Sequence, residues 1–449
     1  MRVLLINPSL SREQRYGKDL AQFGPCSEPL GLAYVAGALE QAGHEVRIWD
    51  GQIEGMWPWQ WNADLIGITM NTPSFNAVKK MCKILKYDFP HIPIVLGGPH
   101  PTVMPHKTLK DIPEADMIVV GEGEEAEIFD LLPASICHAF PIKNLDSLPL
   151  PARHLLPMKQ YQITASRNKG HHAYTVIVAR GCPFECAFCC RLHGRNVRFH
   201  SVDRVIQEIE LLVRDYNAKE INLEADTITV NRKWMHSLCD GIIHAGLNKR
   251  VSWTCESRVD TVDEEMLRSM KAAGCWQVSY GVESGSQRLL DFIKKGITLE
   301  QVRETFAVTK RVGINIRAFF MLGIPTETRE ESDVTIRFAR QLQANWSQFT
   351  LCTPFPGTAL YEWALENEPK RLSKSWGDFK THGGWSQGNL AYIPKGRNQE
   401  EMKSLQKQAY RRIYLRPGRV WSYLAKVRSL RQLWQGFKGA WVVLKTRWA

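Results

Sequence analysis

Short apolar runs alternate with amphipathic segments along most of the chain, and they fall into two series. In the first, VLLIN (3–7) ends at Pro8, and HEVRIWD (44–50), DLIGITM (64–70), IPIVLGG (92–98) and ADMIVVGEG (115–123) repeat the pattern. Between the first two runs, LGLAYVAGALEQAG (30–43) has helical periodicity and stops on Gly43. Continuous apolar runs fit strands buried on both faces, and helices between them predict a doubly wound parallel sheet over residues 1–135. Ligands of such sheets bind outside the strand carboxyl ends. Those ends carry Asn7-Pro8-Ser9, Thr69-Met70-Asn71-Thr72, Gly97-Gly98-Pro99-His100 and Gly121-Glu122-Gly123, where glycine lets the backbone approach a large ligand closely.

Residues 136–172 have no clear period and several prolines, including LPLPARHLLP, which predicts a linker. The second series follows over 173–375. Its runs are YTVIVAR (174–180), KEINLEA (219–225), VSWTCES (251–257), CWQVSYG (275–281), INIRAFFMLG (314–323) and SQFTLCT (347–353). Amphipathic segments such as 201–216 and 262–274 separate them. Six strand–helix units predict a partial (β/α)6 barrel of the TIM type, with its site at the strand carboxyl ends.

Composition changes this picture at one end only. The chain has 449 residues, 44 % apolar and 23 % charged, in the range of ordinary globular proteins. The net charge of +12 sits in the tail: twelve Lys and Arg and no acid lie between Met402 and Ala449, leaving 1–401 with equal numbers of each sign. From 420 to 448, Leu424, Val427, Leu430, Trp434, Phe437, Trp441, Leu444 and Trp448 form an apolar stripe beside Arg431, Lys438 and Lys445. Two readings stay open for this helix of the C-terminal extension (376–449): a basic amphipathic helix lying on an anionic membrane, or one packed on the catalytic domain with a solvated basic face. No nucleic-acid partner is expected, since the charge lies beside an apolar stripe and no RNA-binding module is visible. MRVLLINPSL runs straight into a strand with no cleavage site, and no run reaches the roughly 20 apolar residues of a spanning helix. The expected location is the cytoplasm, with peripheral membrane contact on its inner face under the first reading of the tail.

Eleven cysteines in a long chain, three of them tightly clustered, fit metal ligation in a reducing compartment better than disulfides. Cys182-Pro-Phe-Glu-Cys186-Ala-Phe-Cys189 follows the first strand of the second series in a loop opened by Gly181. One short loop can thus give three thiolates to a [4Fe–4S] cubane. A structural zinc site wants four ligands, and no second Cys/His pair stands nearby. Cys190 is adjacent to Cys189 and reads as a bystander. Three thiolates leave one iron open to chelate a small molecule.

This motif, in ARGCPFECAFC, resembles the radical S-adenosylmethionine enzymes. INLEADTIT, WTCESRVD, GVESGSQRLL, FFMLGIPTET and TPFPGTALY look like that superfamily's further blocks in order. With the front domain, the chain is most similar to the large class that carries an amino-terminal cobalamin-binding domain, across residues 1–365. The resemblance implies a [4Fe–4S] cluster, S-adenosylmethionine and cobalamin as cofactors, and a flavodoxin- or ferredoxin-type electron donor. It implies that Glu224 and Asp226 grip the methionine ammonium and that Glu283 meets the ribose hydroxyls. Arg258 and Arg317 suit carboxylate or ribose contacts, and the GIPTE turn at Gly323 offers backbone near the adenine. Each also has a plainer structural reading: a strand-end acid can cap a helix or pair with an arginine.

In the front domain the Asp-x-His-x-x-Gly motif that brings a histidine to cobalt is absent. The resemblance then implies cobalamin bound with its own base displaced. Thr69, Thr72 and Ser74 would line its nucleotide tail, and Gly97, Gly98 and Gly121 would allow close backbone approach. His100 and His106 are expected at the surface or on phosphate rather than on cobalt. The expected reaction is methylation of an unactivated carbon in a hydrophobic, lipid or tetrapyrrole-like small molecule. A radical cyclase or ring-modifying enzyme with the same cofactors is the alternative, and a non-catalytic cobalamin sensor is the rival from another class.

Overall fold

The computed structural model describes residues 1–8, 24, 26–54, 61–125, 136–161, 163, 167–169, 172–380 and 388–418. The amphipathic stripe at 420–448 lies outside the described residues. No described helix is long and apolar enough to cross a membrane.

The front sheet has six parallel strands: β1 (Arg2–Asn7), β2 (Glu45–Asp50), β3 (Leu65–Thr69), β4 (Ile94–Gly97), β5 (Met117–Val120) and β6 (Ile136–His138). Their spatial order is β2-β1-β3-β4-β5-β6, so the winding reverses beside β1. The β1 run is apolar throughout because both faces are covered. Val3 and Leu5 join the helix Leu30–Gln41 and the core of the second domain, while Leu4 and Ile6 face the helix Phe75–Asp88. The expected linker therefore starts three residues late: 136–138 pairs with β5 as a sixth strand. A three-residue run is too short to show a period.

The second sheet is an open partial barrel of six parallel strands that follow one another in chain order, the first and last at its edges. Its strands are β7 (Ala173–Ile177), β10 (Glu220–Glu224), β11 (Ser252–Ser257), β12 (Cys275–Glu283), β13 (Asn315–Leu322) and β14 (Trp346–Leu351). The apolar run at 174–180 is not one strand. The chain leaves the barrel after Ile177, and Ala179–Arg180 (β8) pairs antiparallel with Arg198–Phe199 (β9) to form the neck of the cysteine loop.

An open barrel has two edge strands whose backbone groups need partners, and side chains supply them here. At β14, Tyr414 Oη accepts from Ser347 N–H and donates to Ser347 O, both at 2.8 Å. Gln406 Nε2 donates to Phe349 O at 2.7 Å. These residues stand on the helix Gln399–Tyr414. At β7, Glu28 accepts from Thr175 N–H and Arg153 donates to Thr175 O, each at 2.7 Å. Arg153 is in turn paired with Glu208 at 2.7 Å, both side chains 2 % exposed. The front domain and linker thus seal one barrel edge. The C-terminal segment also returns to the front domain: Leu372, Trp376, Phe379, Ala391 and Tyr392 pack over the second face of its sheet.

Candidate radical and cofactor site

Gly181 opens the cysteine loop at φ +99°, and a Cβ there would lie 2.2 Å from Asn196 O, so only glycine lets the two arms of the loop meet. Asp226 Oδ2 accepts from Gly181 N–H at 2.7 Å, tying the loop to the end of β10. Further along, Ala187 N–H donates to Ile293 O and Leu360 N–H to Ala187 O. Cys182 Sγ lies 3.3 Å from Thr227 Oγ1, and Cys186 and Cys189 hydrogen-bond through sulfur. That bond, with the charges of Lys295 and Arg258, holds the Cys186 thiol below its ordinary value against the effect of burial, while the same bond pushes Cys189 up. Cys190 points elsewhere, toward Gly357 and Val103 of the front domain.

Among the described residues no three Cys, His, Asp or Glu side chains converge on a single metal ion. Three thiolates spread over one loop instead suit a polynuclear cluster, in which each iron takes one sulfur. A cluster held by three thiolates would be anionic, and two buried cations stand beside Cys186. Arg258 is stacked 3.8 Å from the Phe184 ring centroid and gives Nη1 to Cys186 Sγ at 3.4 Å. Its other donors go to both Asp260 oxygens (2.9 and 2.8 Å) and to Lys295 O (2.7 Å). Lys295 Nζ bonds Glu283 Oε1 at 2.8 Å. Burial opposes that ammonium, yet Glu283 and Cys186 hold it above its ordinary value. Glu283 has φ +67°, an unusual conformation for a non-glycine, where the β12–β13 register shifts. Gly281 leaves room for the pair, since a Cβ there would lie 2.5 Å from Glu283 Oε1 and 2.7 Å from Lys295 Nζ. A cleft of about 530 Å³ opens outside this arrangement, lined in part by Phe184, Glu185, Arg258, Asp291 and Lys295.

The acids and arginines read from sequence separate into two groups. Glu224, at the carboxyl end of β10, is reached by Arg167 Nη2 at 3.1 Å, and the same nitrogen lies 3.7 Å from Glu256 Oε1. The Glu224 side chain is 44 % accessible, yet loss of water to the surrounding protein raises its pKa, with Arg167 opposing and Glu256 adding. Arg317 lies deeper, bonding Gln348 and resting 4.7 Å from the Phe319 ring centroid. Burial lowers it to about 10, and its buried Nη1 has no hydrogen-bond partner. Asp226, Arg258 and Glu283, by contrast, are engaged around the cysteine loop. Gly323 turns at φ +76° against Met402.

At the carboxyl edge of the front sheet, Gly98 has φ +97° and a Cβ there would meet Thr69 Oγ1 at 2.7 Å. Gly97 is open, with only Val119 in ordinary contact range, while Gly121 (φ +98°) passes close to Ala139 O. Gly97 and Gly98 therefore leave a short stretch of this edge, beside Thr69, without side chains. Thr72 and Ser74 look inward instead. Thr72 Oγ1 bonds His100 Nδ1 at 3.0 Å, and Ser74 Oγ accepts from Asn71 N–H and donates to Asn71 O. His100 is not at the surface: it is fully buried between Phe75 and Trp376, at centroid distances of 5.2 and 5.1 Å. The sequence could not show this because Trp376 arrives from 276 residues away. His106 is exposed.

Residues 18–129 match the B12 binding domain family, and residues 176–339 match the Radical SAM superfamily. An uncharacterized methyltransferase of Pyrococcus horikoshii is 34 % identical over 447 residues, covering 93 % of each chain. The chain belongs to the cobalamin-binding radical S-adenosylmethionine enzymes. The anaerobic magnesium-protoporphyrin IX monomethyl ester cyclase of Cereibacter sphaeroides is 28 % identical over 401 residues, covering 81 % of this chain and 63 % of the cyclase. The structure of the radical S-adenosylmethionine methyltransferase TsrM from Kitasatospora setae, with cobalamin and a [4Fe–4S] cluster bound, shares the fold at TM-score 0.68 and 17 % identity. That match covers 99 % of both chains.

In this radical S-adenosylmethionine fold the front domain comes close to the end of the cysteine loop at Gly357: a Cβ there would touch Val103 of the front domain at 2.7 Å and Cys190 at 3.5 Å. Sequence reasoning missed Lys295, Asp260 and Arg167, all of which touch predicted site residues. Asp260 had a local signal, two residues after Arg258. Lys295 and Arg167 had none, because lysine and arginine in loops ordinarily face water.

Proposed function

We propose that this enzyme methylates an unactivated carbon of a hydrophobic small molecule, with Cys182, Cys186 and Cys189 holding a [4Fe–4S] cluster. When bound, the cluster with S-adenosylmethionine supplies a 5′-deoxyadenosyl radical, and cobalamin supplies a carrier for the methyl group. The chain's own residues bind, orient and exclude water. Arg258 and Lys295 balance the anionic thiolates beside Cys186. Glu224 and Arg317 offer a carboxylate for an ammonium and an unpartnered guanidinium nitrogen for a carboxylate or ribose oxygen. Asp226, Arg258 and Glu283 fix the cysteine loop beside the place where S-adenosylmethionine would bind. The rim of Thr69, Gly97 and Gly98 receives cobalamin.

One observation carries methyl transfer over cyclisation. The Pyrococcus methyltransferase is 34 % identical across 93 % of each chain, whereas the Cereibacter cyclase is 28 % identical across 81 % of this chain. Lipid and tetrapyrrole substrates both fit the hydrophobic class. The test is anaerobic incubation with methyl-labelled S-adenosylmethionine, reductant, cobalamin and lipid or pigment extracts. Label in a carbon-bound product supports methylation, and an unlabelled cyclised product overturns it. Alanine at Cys182, Cys186 or Cys189 should abolish 5′-deoxyadenosine release, and retained release would overturn the cluster assignment.

A further inference from the structure

The neck of the cysteine loop carries an electrostatic problem that the front domain solves. In the β8–β9 pair, Arg180 stands directly opposite Arg198. Like charges opposite one another destabilise a strand pair, and these two side chains are only 5 % and 12 % exposed. Glu122, at the carboxyl end of β5, lies between them. It accepts from Arg180 Nη1 at 3.2 Å and from both Arg198 Nη1 (3.0 Å) and Nη2. His193, inside the loop, reaches the same carboxylate at 3.3 Å, and Ile142 N–H donates to it at 3.2 Å. Glu124 takes the remaining edge of Arg180. Arg198 Nη1 also donates to Ile142 O, and Nη2 lies 3.3 Å from His193 O. Burial disfavours the Glu122 anion, but bonds from His193 and Arg198 and the charge of Arg180 hold its carboxyl far below the usual range.

The loop is thus held from two sides. The barrel holds its tip through Ile293 and Leu360 and its start through Asp226, while a front-domain carboxylate clamps both arms of its neck. We propose that Glu122, assisted by Glu124, is a positioning residue that locks the cysteine loop to the front domain and so fixes the cluster relative to the front-sheet rim. This rests on the proposed function for what is being positioned, but the latch itself is a property of the chain. Methyl and radical chemistry on two cofactors needs their separation held closely, because an error near 1 Å can cost about 100-fold in rate.

The test uses Glu122→Gln and Glu124→Gln in the full-length, iron-reconstituted protein. Hydrogen exchange should rise about tenfold or more in peptides spanning 180–198, with exchange in the front strand 65–69 unchanged. With cob(II)alamin added and the cluster reduced, pulsed EPR should give one narrow cluster-to-cobalt distance in the parent and a broadened distribution in Glu122→Gln. If Glu122→Gln does not fold, Glu124→Gln, which leaves the Arg198 clamp intact, must show the same changes in smaller degree. Unchanged loop exchange and an unchanged distance distribution in folded variants would overturn the latch. A parent protein that takes up no iron or shows no cobalt coupling refutes the functional reading instead. The exchange result then still decides the latch.

Discussion

Glu283 and Lys295 give the sharpest test of how the pocket behind Cys186 is held. The pair lies 2.8 Å apart with side chains 11 % and 7 % exposed. At an effective dielectric near 20 their attraction is roughly 6 kcal/mol. Desolvating two ions consumes most of that, so the intact pair adds little net stability. In the cluster-free protein, Glu283→Gln removes the attraction but leaves the Lys295 ammonium buried beside Arg258, an uncompensated charge expected to cost about 3–5 kcal/mol. Glu283→Gln/Lys295→Met removes both charges and should recover most of the loss. The assay is the urea midpoint of the barrel transition, followed by fluorescence at constant m-value.

The pH dependence separates this from a packing defect. In the parent, Lys295 has a raised folded pKa, so its contribution is complete below the ordinary lysine value of 10.5 and is lost as pH climbs through the raised value. In Glu283→Gln, burial without a partner depresses that pKa. The unfolded chain then binds more protons, and stability rises with pH up to 10.5. A single variant costing under about 1 kcal/mol, or a double variant no better than the single, would refute the reasoning.

Gly181→Ala forces a Cβ into Asn196 O at positive φ, so iron uptake should fail while barrel circular dichroism persists; normal iron content rejects this. Tyr414→Phe leaves Ser347 N–H and O at the barrel edge without their partner and should cost about 1–3 kcal/mol in urea denaturation. Arg317→Met removes a buried guanidinium with an orphan nitrogen. It should change ligand-free stability by less than about 1 kcal/mol while raising the KM for S-adenosylmethionine, and an unchanged KM rejects that role. His100 is pushed down to about 4 by burial, so the folded state stays neutral where the unfolded chain protonates. Stability is therefore lost as pH falls from 6.5 toward 4, by about 3 kcal/mol at most. His100→Gln should flatten that limb of a thermal-melt profile.

Periodicity and local motifs determined much of this protein. Apolar runs such as VLLI in β1 must be buried on both faces, which dictates parallel strands between helices, and both sheets follow. The spacing of Cys182, Cys186 and Cys189 places three thiolates on one loop whatever the rest of the chain does. Tertiary structure alone decided what surrounds them. Lys295 became a buried counter-ion through the strained turn at Glu283, and His100 was enclosed by a tryptophan from the far end of the chain. Glu122, read as part of a glycine-flanked strand end, became the carboxylate that holds two facing arginines together. Period and spacing report which backbone a residue belongs to. The partner of a charge depends on which distant strand end folding brings within about 3 Å, and no local pattern encodes that distance.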